Sequence, residues 1–419
     1  MIPAQLKYLN ISRKAKRAIT LCILTTMLIY NGHSQKVEQF IEQAKEYNPG
    51  LKALRLEYNA ALLKADQVND WPDPKVSLGL GVLPVETRLG AQRFKVGVSQ
   101  MIPWKGSLDA RSDVARSKAE VKSKLDEVKE IDIEYAIRSA YTTLQFLDGK
   151  KAIIQQRLFV LDALEELAKS AVRSGKGKLS NVLFTERKRE ILNADLELIT
   201  KKMEQPTIMI NRWTGRELFT EIIITTDDET LINKSEVLKF ADSEHPKYTV
   251  LDNKIAASNS MIALTKYQEK PKIGVGLDYA YIDARNDVDI SGNGRDILMP
   301  MVSITIPLNK GRFDAIRQEQ TILQEAINAQ RKEISDIYTA EVEMAYSLIE
   351  YANQVAEKYS SLKDITRETL KLMRTEYATE GTRFEELLRL EMDIIDYDLE
   401  ILKARFERSL ALAVLHKFN

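Results

Sequence analysis

The sequence is poor in cysteine and histidine, the residues that most often serve catalysis and metal binding. Cys22 is the only cysteine, and the chain has 3 histidines. His33 lies in the N-terminal segment, while His245 and His416 stand alone, with no HxxxH or paired-carboxylate framework around them. We therefore predict no catalytic site, no metal site and no cofactor, and we interpret the scattered methionines as packing residues.

Glycine and proline are also scarce, and the charges balance. The 419 residues include 17 glycines and 11 prolines, and 61 basic residues offset 61 acidic ones. A formal net charge of zero gives no indication of nucleic-acid binding. A chain that is 29% charged and 44% hydrophobic, with few helix breakers, favours long helices over a disordered or fibrous protein.

The first 34 residues contain no acidic residue and resemble a secretory signal peptide. Five basic residues precede an apolar run from Ala18 to Tyr30, and a short polar segment follows it. The run of about 13 residues is shorter than the ~20 that a spanning helix needs. We predict cleavage near Ser34, and a buried N-terminal helix is the alternative.

Cleavage at this point would remove the only thiol together with the five bases. The remaining 56 basic and 61 acidic residues would carry a formal charge of −5. A thiol-free chain suits an oxidising compartment. Cys22 follows Leu21 rather than a small residue, so we interpret it as part of the leader and not as a lipid-attachment site.

The rest of the chain is a tandem duplication. Asn48-Pro49 opens a helical stretch that leads to Pro74-Lys75-Val76, and His245-Pro246, at an offset of 197, opens one that leads to Pro271-Lys272-Ile273. Each half then contains a strand pair and a long helical hairpin. The predicted domains are a signal peptide (1–34), a first repeat (35–212), an equatorial insert (213–244) and a second repeat (245–419).

Alternating apolar and small or polar residues predict strand pairs near 75–102 and 272–307. We expect Val85–Ala91 and Ala284–Gly294 to be their loops. No segment after the leader has 18 consecutive apolar residues, so any membrane crossing would need strands. The predicted strands of about 9–12 residues are close to the ~9–11 residues that a tilted membrane strand needs. Two amphipathic hairpins packed on helices in a soluble protein are the alternative.

A very long helix follows each strand pair, from about Gly106 to Arg173 and from about Gly311 to Ala378. At 1.5 Å per residue each would be about 100 Å long, far longer than the helices of ordinary globular cores. The first has a seam at 4-3 spacing from Ile133 to Ala168, and its only charged members are Lys151 and Glu165. Return helices complete hairpins at about 106–212 and 311–418, and Thr382 with Glu385 is predicted to cap the second return helix. The predicted seam of that helix is Leu387, Leu390, Ile394, Tyr397, Ile401, Ala404 and Ala411.

Two strand pairs supply four strands, whereas a membrane barrel needs at least eight. An open edge would leave unpaired backbone groups in lipid, so other copies must complete the sheet. Three copies would give twelve strands, although four strands alone do not select three. The predicted fold class is mainly α with a membrane β-barrel part.

The order of these motifs resembles the TolC-like outer-membrane efflux factors over nearly the whole chain after the leader. The resemblance rests on the duplicated order and on four short motifs: the Asn48/His245-Pro openings, Trp71-Pro72-Asp73-Pro74, Ser99–Gly106, and the turn from Tyr377 through Gly381-Thr382-Arg383 to Leu387. The Pro-Trp-Lys-Gly and Asp-Pro-Lys elements loosely resemble the heavy-metal (CzcC/CusC-like) branch. Many relatives there are lipid-anchored at an N-terminal cysteine, which this chain lacks in a suitable place.

The resemblance implies a homotrimer with a twelve-stranded barrel in outer-membrane lipid, above a periplasmic tunnel of twelve coiled-coil helices. It also implies an efflux conduit of a tripartite pump, which passively exports small substrates or metal cations. The partners would be a periplasmic adaptor (membrane fusion) protein and an inner-membrane pump. Such a channel is not an enzyme.

In this family the helix tips close the periplasmic entrance through ion pairs, hydrogen bonds and an acidic ring. Tyr377 and Arg383 match gate-pairing positions, and the register from Tyr377 places the acid at Glu386, beside Glu385. Arg389 stands where a second family acid would be. A helix cap and solvated surface are the alternative role of the two glutamates.

Further candidates lie at the turns and at the strand ends. The turn residues are candidates for adaptor contact, with plain turns as the alternative: Gly175, Gly177, Ser180, Glu380 and Gly381. Trp71 and Trp104 lie beside strand ends, as membrane-interface aromatics do; core tryptophans are the alternative.

Two rival functions remain. One is a periplasmic coiled-coil adaptor or scaffold without a barrel, and the other is an exported enzyme on a helical scaffold.

Overall fold

A computed structural model describes residues 36–225, 231–287, 289–380 and 383–419, including all side chains there except those of 377–380. The predicted signal peptide and Thr382 of the predicted cap lie outside these residues. Among the helices described, none has a stretch apolar and long enough to cross a membrane.

The described elements are nine helices, four strands and two short helical turns. The helices are α1 (Val37–Tyr47), α2 (Pro49–Val68), α3 (Ser107–Glu120), α4 (Leu125–Arg173), α5 (Leu179–Thr214), α6 (Lys234–Lys239), α7 (Pro246–Gln268), α8 (Lys310–Glu380) and α9 (Phe384–Leu415). The strands are β1 (Lys75–Thr87), β2 (Gly90–Ile102), β3 (Lys272–Asp283) and β4 (Ile297–Thr305). A π-helical turn (Phe240–Glu244) follows α6, and a 3₁₀ turn (His416–Phe418) follows α9.

The four strands form one antiparallel sheet in the order β1-β2-β3-β4. The two predicted hairpins therefore lie side by side, joined through β2 and β3. Val98 of β2 is opposite Val76 on one side and Leu277 on the other, so the apolar residues of the two repeats share a face.

The duplication is visible in how α2 and α7 begin. Asn48 Oδ1 accepts hydrogen bonds from the backbone N–H of Gly50 (2.8 Å) and Leu51 (3.2 Å). His245 Nδ1 accepts one from the Lys247 N–H (3.1 Å). In both cases proline occupies the next position, where its missing N–H costs nothing.

The chain divides into two compact units. The sheet unit comprises the described residues within 47–135, 231–350 and 411–419, and the hairpin unit those within 1–46, 136–230 and 351–410. Each unit combines segments of both sequence repeats. The main core of the sheet unit is Val237, Ala241, Tyr338, Val342, Ala345, Ile349, Ala411, Leu412, Leu415 and Phe418.

The hairpin unit has its core along the predicted seam of α4. Leu147, Ile154 and Leu161 pack with Leu192 and Ile199 of α5 and with Met392 and Ile395 of α9. Closer to the helix ends, Leu164 and Ala168 pack with Leu370, Phe384 and Leu387. The 4-3 spacing of α4 therefore predicts its buried side, because one turn of helix returns an apolar residue to the same face.

The predicted seam of α9 is only partly right. Leu387, Ala404 and Ala411 are buried, but Leu390, Ile394, Tyr397 and Ile401 are half-buried. The buried positions near the start of the helix are Phe384, Leu387, Glu391, Met392 and Ile395. The sequence pattern missed this face because one of its buried residues, Glu391, is a carboxylate.

The long helix predicted from Gly106 to Arg173 is interrupted at residues 121–124, which form a turn between α3 and α4. The carbonyl oxygen of Glu120 accepts hydrogen bonds from Ser123 Oγ (2.7 Å) and from Asn253 Nδ2 of α7 (2.7 Å). These side-chain donors compete with the i→i−4 backbone bonds. α8 shows no such break over its 71 residues.

The loop predicted at Val85–Ala91 is also shorter than expected, because β1 continues to Thr87 and β2 begins at Gly90. The register shifts between Leu80 and Val85, where four residues of β1 lie opposite one residue of β2. Pro84, which has no N–H to donate, lies in this bulge.

Candidate functional site

One face of the sheet is apolar across all four strands. Cross-strand partners lie on the same face, and the registers place these residues together: Val76, Leu78, Leu80, Phe94, Val96, Val98, Val275, Leu277, Tyr279, Tyr281, Leu298, Pro300, Val302 and Ile304. All but Val96 are exposed, with Leu80 82% accessible. The rings of Phe94 and Tyr281 stack at 5.1 Å. An exposed apolar surface of this extent requires a covering.

The opposite face carries mainly small and polar residues on β1, β2 and β3, whereas its β4 positions include the exposed Ile297, Met299 and Met301. Gly97 lies between Ser77 and Asp278, and a Cβ on Gly97 would be 2.3 Å from Asp278 Oδ1. Asp278 is buried and forms an ion pair with Lys95 of β2. Around β2 and β3 this face therefore carries a neutralised charge pair among glycines and serines.

Both edge strands lack a partner on their outer side among the described residues. All nine residues of β4 are exposed, and β1 is exposed over nearly its whole length. The unpaired backbone N–H and C=O groups of these strands are open to pairing with another strand.

The two candidate interface tryptophans lie at the ends of strands, as predicted. Trp104 follows β2, and its Nε1 donates to the carbonyl of Pro271 (2.5 Å), just before β3. Lys270 Nζ lies 5.5 Å from the Trp104 ring centroid. Trp71 precedes β1 and is 60% exposed. Neither ring is a core residue of the described chain.

The turn between α4 and α5 is called the first tip here, and it comprises residues 173–180. The backbone N–H groups of Lys176 and Gly177 both donate to the Ala171 carbonyl (3.0 and 2.9 Å), and Gly175 has a φ of 75°. Glycine is favoured at this left-handed position. Ser180 is exposed in the first turn of α5, so the candidate residues Gly175, Gly177 and Ser180 lie together at this tip.

The turn between α8 and α9, the second tip, is described only in part. The side chains of Tyr377 and Glu380, and all of Gly381, lie outside the described residues. Arg383 pairs with Glu376 (3.5 Å) and Glu386 (4.0 Å). Arg383 also has a φ of 64°, which is uncommon for a residue with a side chain.

Glu385 and Glu386 are exposed in the first turn of α9. Carboxylates are favourable there because the helix start is positive. Arg389, at the position where the resemblance would place a second acid, is exposed and lies 4.0 Å from Asp393. The structure thus brings Arg383 and Glu386 together and leaves the role of Tyr377 a prediction.

Two buried carboxylates lie inside the hairpin unit near the tips. Glu391, which the sequence reading missed, accepts a hydrogen bond from Arg374 Nε (2.9 Å). Glu165, a predicted seam member, pairs with Arg189 of α5 (2.9 Å) and with Lys169 (2.8 Å). Hydrogen bonds to Glu165 and Glu166 raise the pKa of Lys169. The signal for Glu391 was its i+4 spacing from Leu387.

Two helices carry exposed apolar stripes at seven-residue spacing. On α8 the stripe is Ile337, Met344, Tyr351, Ile365 and Leu372, interrupted by Lys358, and on α5 it is Phe184, Ile191 and Leu198. Such a repeat is typical of a helix that packs against a further helix. The described chain does not cover these residues.

Solved structures with a similar fold are outer-membrane channels. A structure of CusC, solved in connection with folding and transmembrane channel formation, matches with a TM-score of 0.70 at 15% identity over 91% of both chains. The outer-membrane channel OprN matches with a TM-score of 0.71 at 15% identity, over 91% of this chain and 89% of its own. The open-state MtrE outer membrane channel of Neisseria gonorrhoeae matches at 0.68 and 16%, over 91% and 88%.

No protein-family model and no curated protein sequence matches the chain. Identities this low establish the fold alone. The chain therefore has the fold of the TolC-like outer-membrane channels, as the order of its motifs predicted.

Proposed function

We propose that the chain is one protomer of a homotrimeric outer-membrane channel, the passive efflux conduit of a tripartite pump. The observation that carries this proposal is the four-stranded sheet, which has an exposed apolar face and two unpaired edges. A single protomer with these features exposes an apolar face that is unfavourable in water, and its two edge strands lack pairing partners.

Lipid is the covering that suits the apolar face. Burying one large apolar side chain contributes roughly 1.5–3 kcal/mol, so thirteen exposed residues on one face represent a large unfavourable surface in water. In a bilayer the unpaired edges would in turn cost several kcal/mol per backbone group. Pairing β1 of one copy with β4 of the next removes that cost, and three copies close twelve strands, an even number within the range of such barrels.

The apolar stripes on α5 and α8 also support assembly of several copies, in the part of the chain outside the membrane. The stripes on α5 and α8 are coiled-coil surfaces that the described chain leaves open. Neighbouring copies would cover them and form the wall of a periplasmic tunnel. The fold likeness to CusC, OprN and MtrE supports this arrangement.

Transport through this channel would be passive. The small polar face of the sheet would line the barrel, where Lys95 and Asp278 neutralise each other. The periplasmic entrance would lie at the helix tips, with Arg383, Glu385 and Glu386 at the gate. An acidic constriction favours cations by charge, so the cargo would be metal cations or other small substrates. A periplasmic adaptor protein and an inner-membrane pump would supply it.

The test is the assembly and conductance of the chain from residue 35 onward. We expect a detergent-dependent, heat-modifiable trimer by native mass spectrometry and discrete channels in planar bilayers. A monomer that stays soluble without detergent and forms no channels would overturn the proposal and favour the adaptor or scaffold alternative.

A further inference from the structure

Aromatic and cationic side chains meet where β2 ends and β3 begins. Trp104 Nε1 donates to the Pro271 carbonyl at 2.5 Å, which holds the indole ring across the gap between the two strands. Lys270 Nζ lies 5.5 Å from the centroid of the Trp104 ring and 5.0 Å from that of the Tyr267 ring. Two rings therefore hold this ammonium group in place. Trp104, Lys105, Tyr267 and Lys270 together are called the junction cluster.

The backbone of the junction cluster is held in two short turns. At the end of α7 the Lys270 N–H donates to the Tyr267 carbonyl (3.3 Å). Gly106 has a φ of 82°, and a Cβ there would lie 2.9 Å from Tyr267 Oη. Both chain neighbours of Lys105, Trp104 and Gly106, therefore lie against the end of α7. A preorganised surface loses less conformational entropy on binding than a flexible one.

The positive charge of the junction cluster is not neutralised within the described chain. Lys105 and Lys270 are exposed, and among the described residues neither forms an ion pair. The carboxylate next to Lys270 in the chain, Glu269, pairs with Arg317 instead. Two ammonium groups beside an aromatic surface suit an anionic ligand.

The corresponding strand ends of the duplication lack these residues. The repeated prolines align Trp104 with Leu308, and Lys270 with Asp73. If three copies assemble as proposed, β4 of one copy pairs with β1 of the next, so that joint has a leucine and an aspartate. The trimer would then have three cationic clusters, one in each copy, and not six.

The apolar face of the sheet begins directly beside the junction cluster. Ile102 and Ile273 are opposed at this end, and Val98 and Leu277 follow on the same face, since every second residue of a strand returns to it. Ile102, Val98 and Leu277 are exposed. A ligand with an anionic head and long apolar chains contacts both surfaces at once, whereas a soluble anion uses only the cluster.

We propose that the junction cluster binds the headgroup of an anionic phospholipid whose acyl chains cover the adjoining apolar face. Lys105 and Lys270 pair with the phosphate, and the Trp104 ring lies at headgroup depth, where indole rings are favoured. The inference rests on the proposed channel function, which places the sheet in a bilayer. Since α3 and α8 begin at this end of the sheet, the lipid belongs to the periplasmic leaflet.

The experiment is a lipid titration of the purified channel in detergent, followed by native mass spectrometry. Dioleoylphosphatidylglycerol is compared with dioleoylphosphatidylcholine, which has the same acyl chains but no net charge. We expect the anionic lipid to bind more tightly, to saturate at three molecules per trimer and to weaken as salt rises. K105Q/K270Q should lower its affinity about tenfold or more and remove the preference, because each ammonium group near the surface attracts anionic lipid.

The matched control is K75Q/K272Q, which removes two lysines from the same end of the sheet. The strand registers place Lys75 and Lys272 on the opposite face, so phosphatidylglycerol binding should be unchanged. Glycerol phosphate, which has no acyl chains, should not displace the lipid. Equal affinities for the two lipids, no effect of K105Q/K270Q, an equal loss in K75Q/K272Q, or displacement by glycerol phosphate would each overturn the proposal.

Trimer mass and bilayer conductance of the same preparation test the channel separately. A conducting trimer with no preference for phosphatidylglycerol would refute the lipid site alone. Preferential binding of phosphatidylglycerol by a chain that forms no trimer would refute the channel and leave the lipid site standing.

Discussion

His245 caps the start of α7, and its protonation makes the stability of the chain depend on pH. Its side chain is 3% exposed and lies between Tyr338 (4.8 Å between ring centroids) and Phe418 (6.1 Å). Burial, with the nearby charges of Lys247 and Lys417, lowers the pKa of His245 to about 4. The imidazole is therefore neutral at neutral pH, as its acceptor role at Nδ1 requires.

We predict that this histidine makes the chain less stable as pH falls. The unfolded chain binds a proton near pH 6.5 and the folded chain only near pH 4, so the stability contribution is full above 6.5 and is lost between 6.5 and 4. The loss approaches about 3 kcal/mol. H245N keeps a cap, as Asn48 does in the first repeat, and removes the titration.

The measurement is the free energy of unfolding in urea, followed by fluorescence, for wild type and H245N from pH 7 to 4. The difference between the two chains isolates His245 from the other acids that titrate in this range. Parallel pH profiles would show that His245 does not titrate as the burial requires.

Glu391 is a buried carboxylate with one strong partner, and this makes Arg374 important. R374A leaves that carboxylate without its charge-assisted hydrogen bond, which we expect to lower the free energy of unfolding by roughly 1–3 kcal/mol. R389A removes an exposed ion pair at 4.0 Å and should change the free energy of unfolding by less than about 0.5 kcal/mol. The denaturation midpoints of R374A and R389A test both predictions. Equal effects of the two variants would show that the hydrogen bond from Arg374 to Glu391 does not stabilise the fold more than an exposed ion pair does.

At the scale of elements, the two faces of β4 should differ sharply in their tolerance of charge. V302R puts a cation on the apolar face, which costs roughly 2–4 kcal/mol at the centre of a bilayer. S303R puts the same cation on the polar face. We expect V302R to reduce the heat-modifiable form in outer-membrane fractions and S303R to retain it. Equal yields would show that the apolar face does not contact lipid.

The second tip gives a prediction about leak. R383A/E386A removes the Arg383–Glu376 pair between α8 and the start of α9, together with the local Arg383–Glu386 pair, and should raise the conductance of single channels in planar bilayers. K201A/E204A removes an exposed 2.8 Å pair on α5, away from the second tip, and serves as the control. Unchanged conductance of the first variant would remove Arg383 and Glu386 from the gate.

The sequence predicts a helix or strand, and its buried side, where a single repeat of apolar residues runs through the segment. The strand pairs and the buried side of α4 follow from alternation and from 4-3 spacing. The break at 121–124 does not, because Asn253 reaches the Glu120 carbonyl from a segment more than a hundred residues away. Glu391 was missed for a similar reason, since a buried charge looks polar until its partner is known. At the candidate gate, the sequence names Arg383 and Glu386 but not the pairing of Arg383 with Glu376.

At the scale of the whole molecule, the apolar stripe of α8 should hold copies together. I365E/L372E places two carboxylates on exposed stripe positions, where contact with a neighbouring helix would desolvate them. We expect the trimer fraction in detergent to fall several-fold. K371E makes the same net charge change beside the stripe and should preserve the trimer. Native mass spectrometry distinguishes them, and a stable I365E/L372E trimer would place the contact elsewhere.

The interruption after Glu120 makes the two halves of the duplication mechanically unequal. At this turn the Glu120 carbonyl accepts from the side chains of Ser123 and Asn253 and from the Ser123 backbone N–H, a short turn bond in place of the helical i→i−4 bond. Bending α8 at the corresponding point would break an intact ladder. If three copies assemble as proposed, interrupted and uninterrupted long helices would alternate around the ring, and the ring would deform with threefold symmetry.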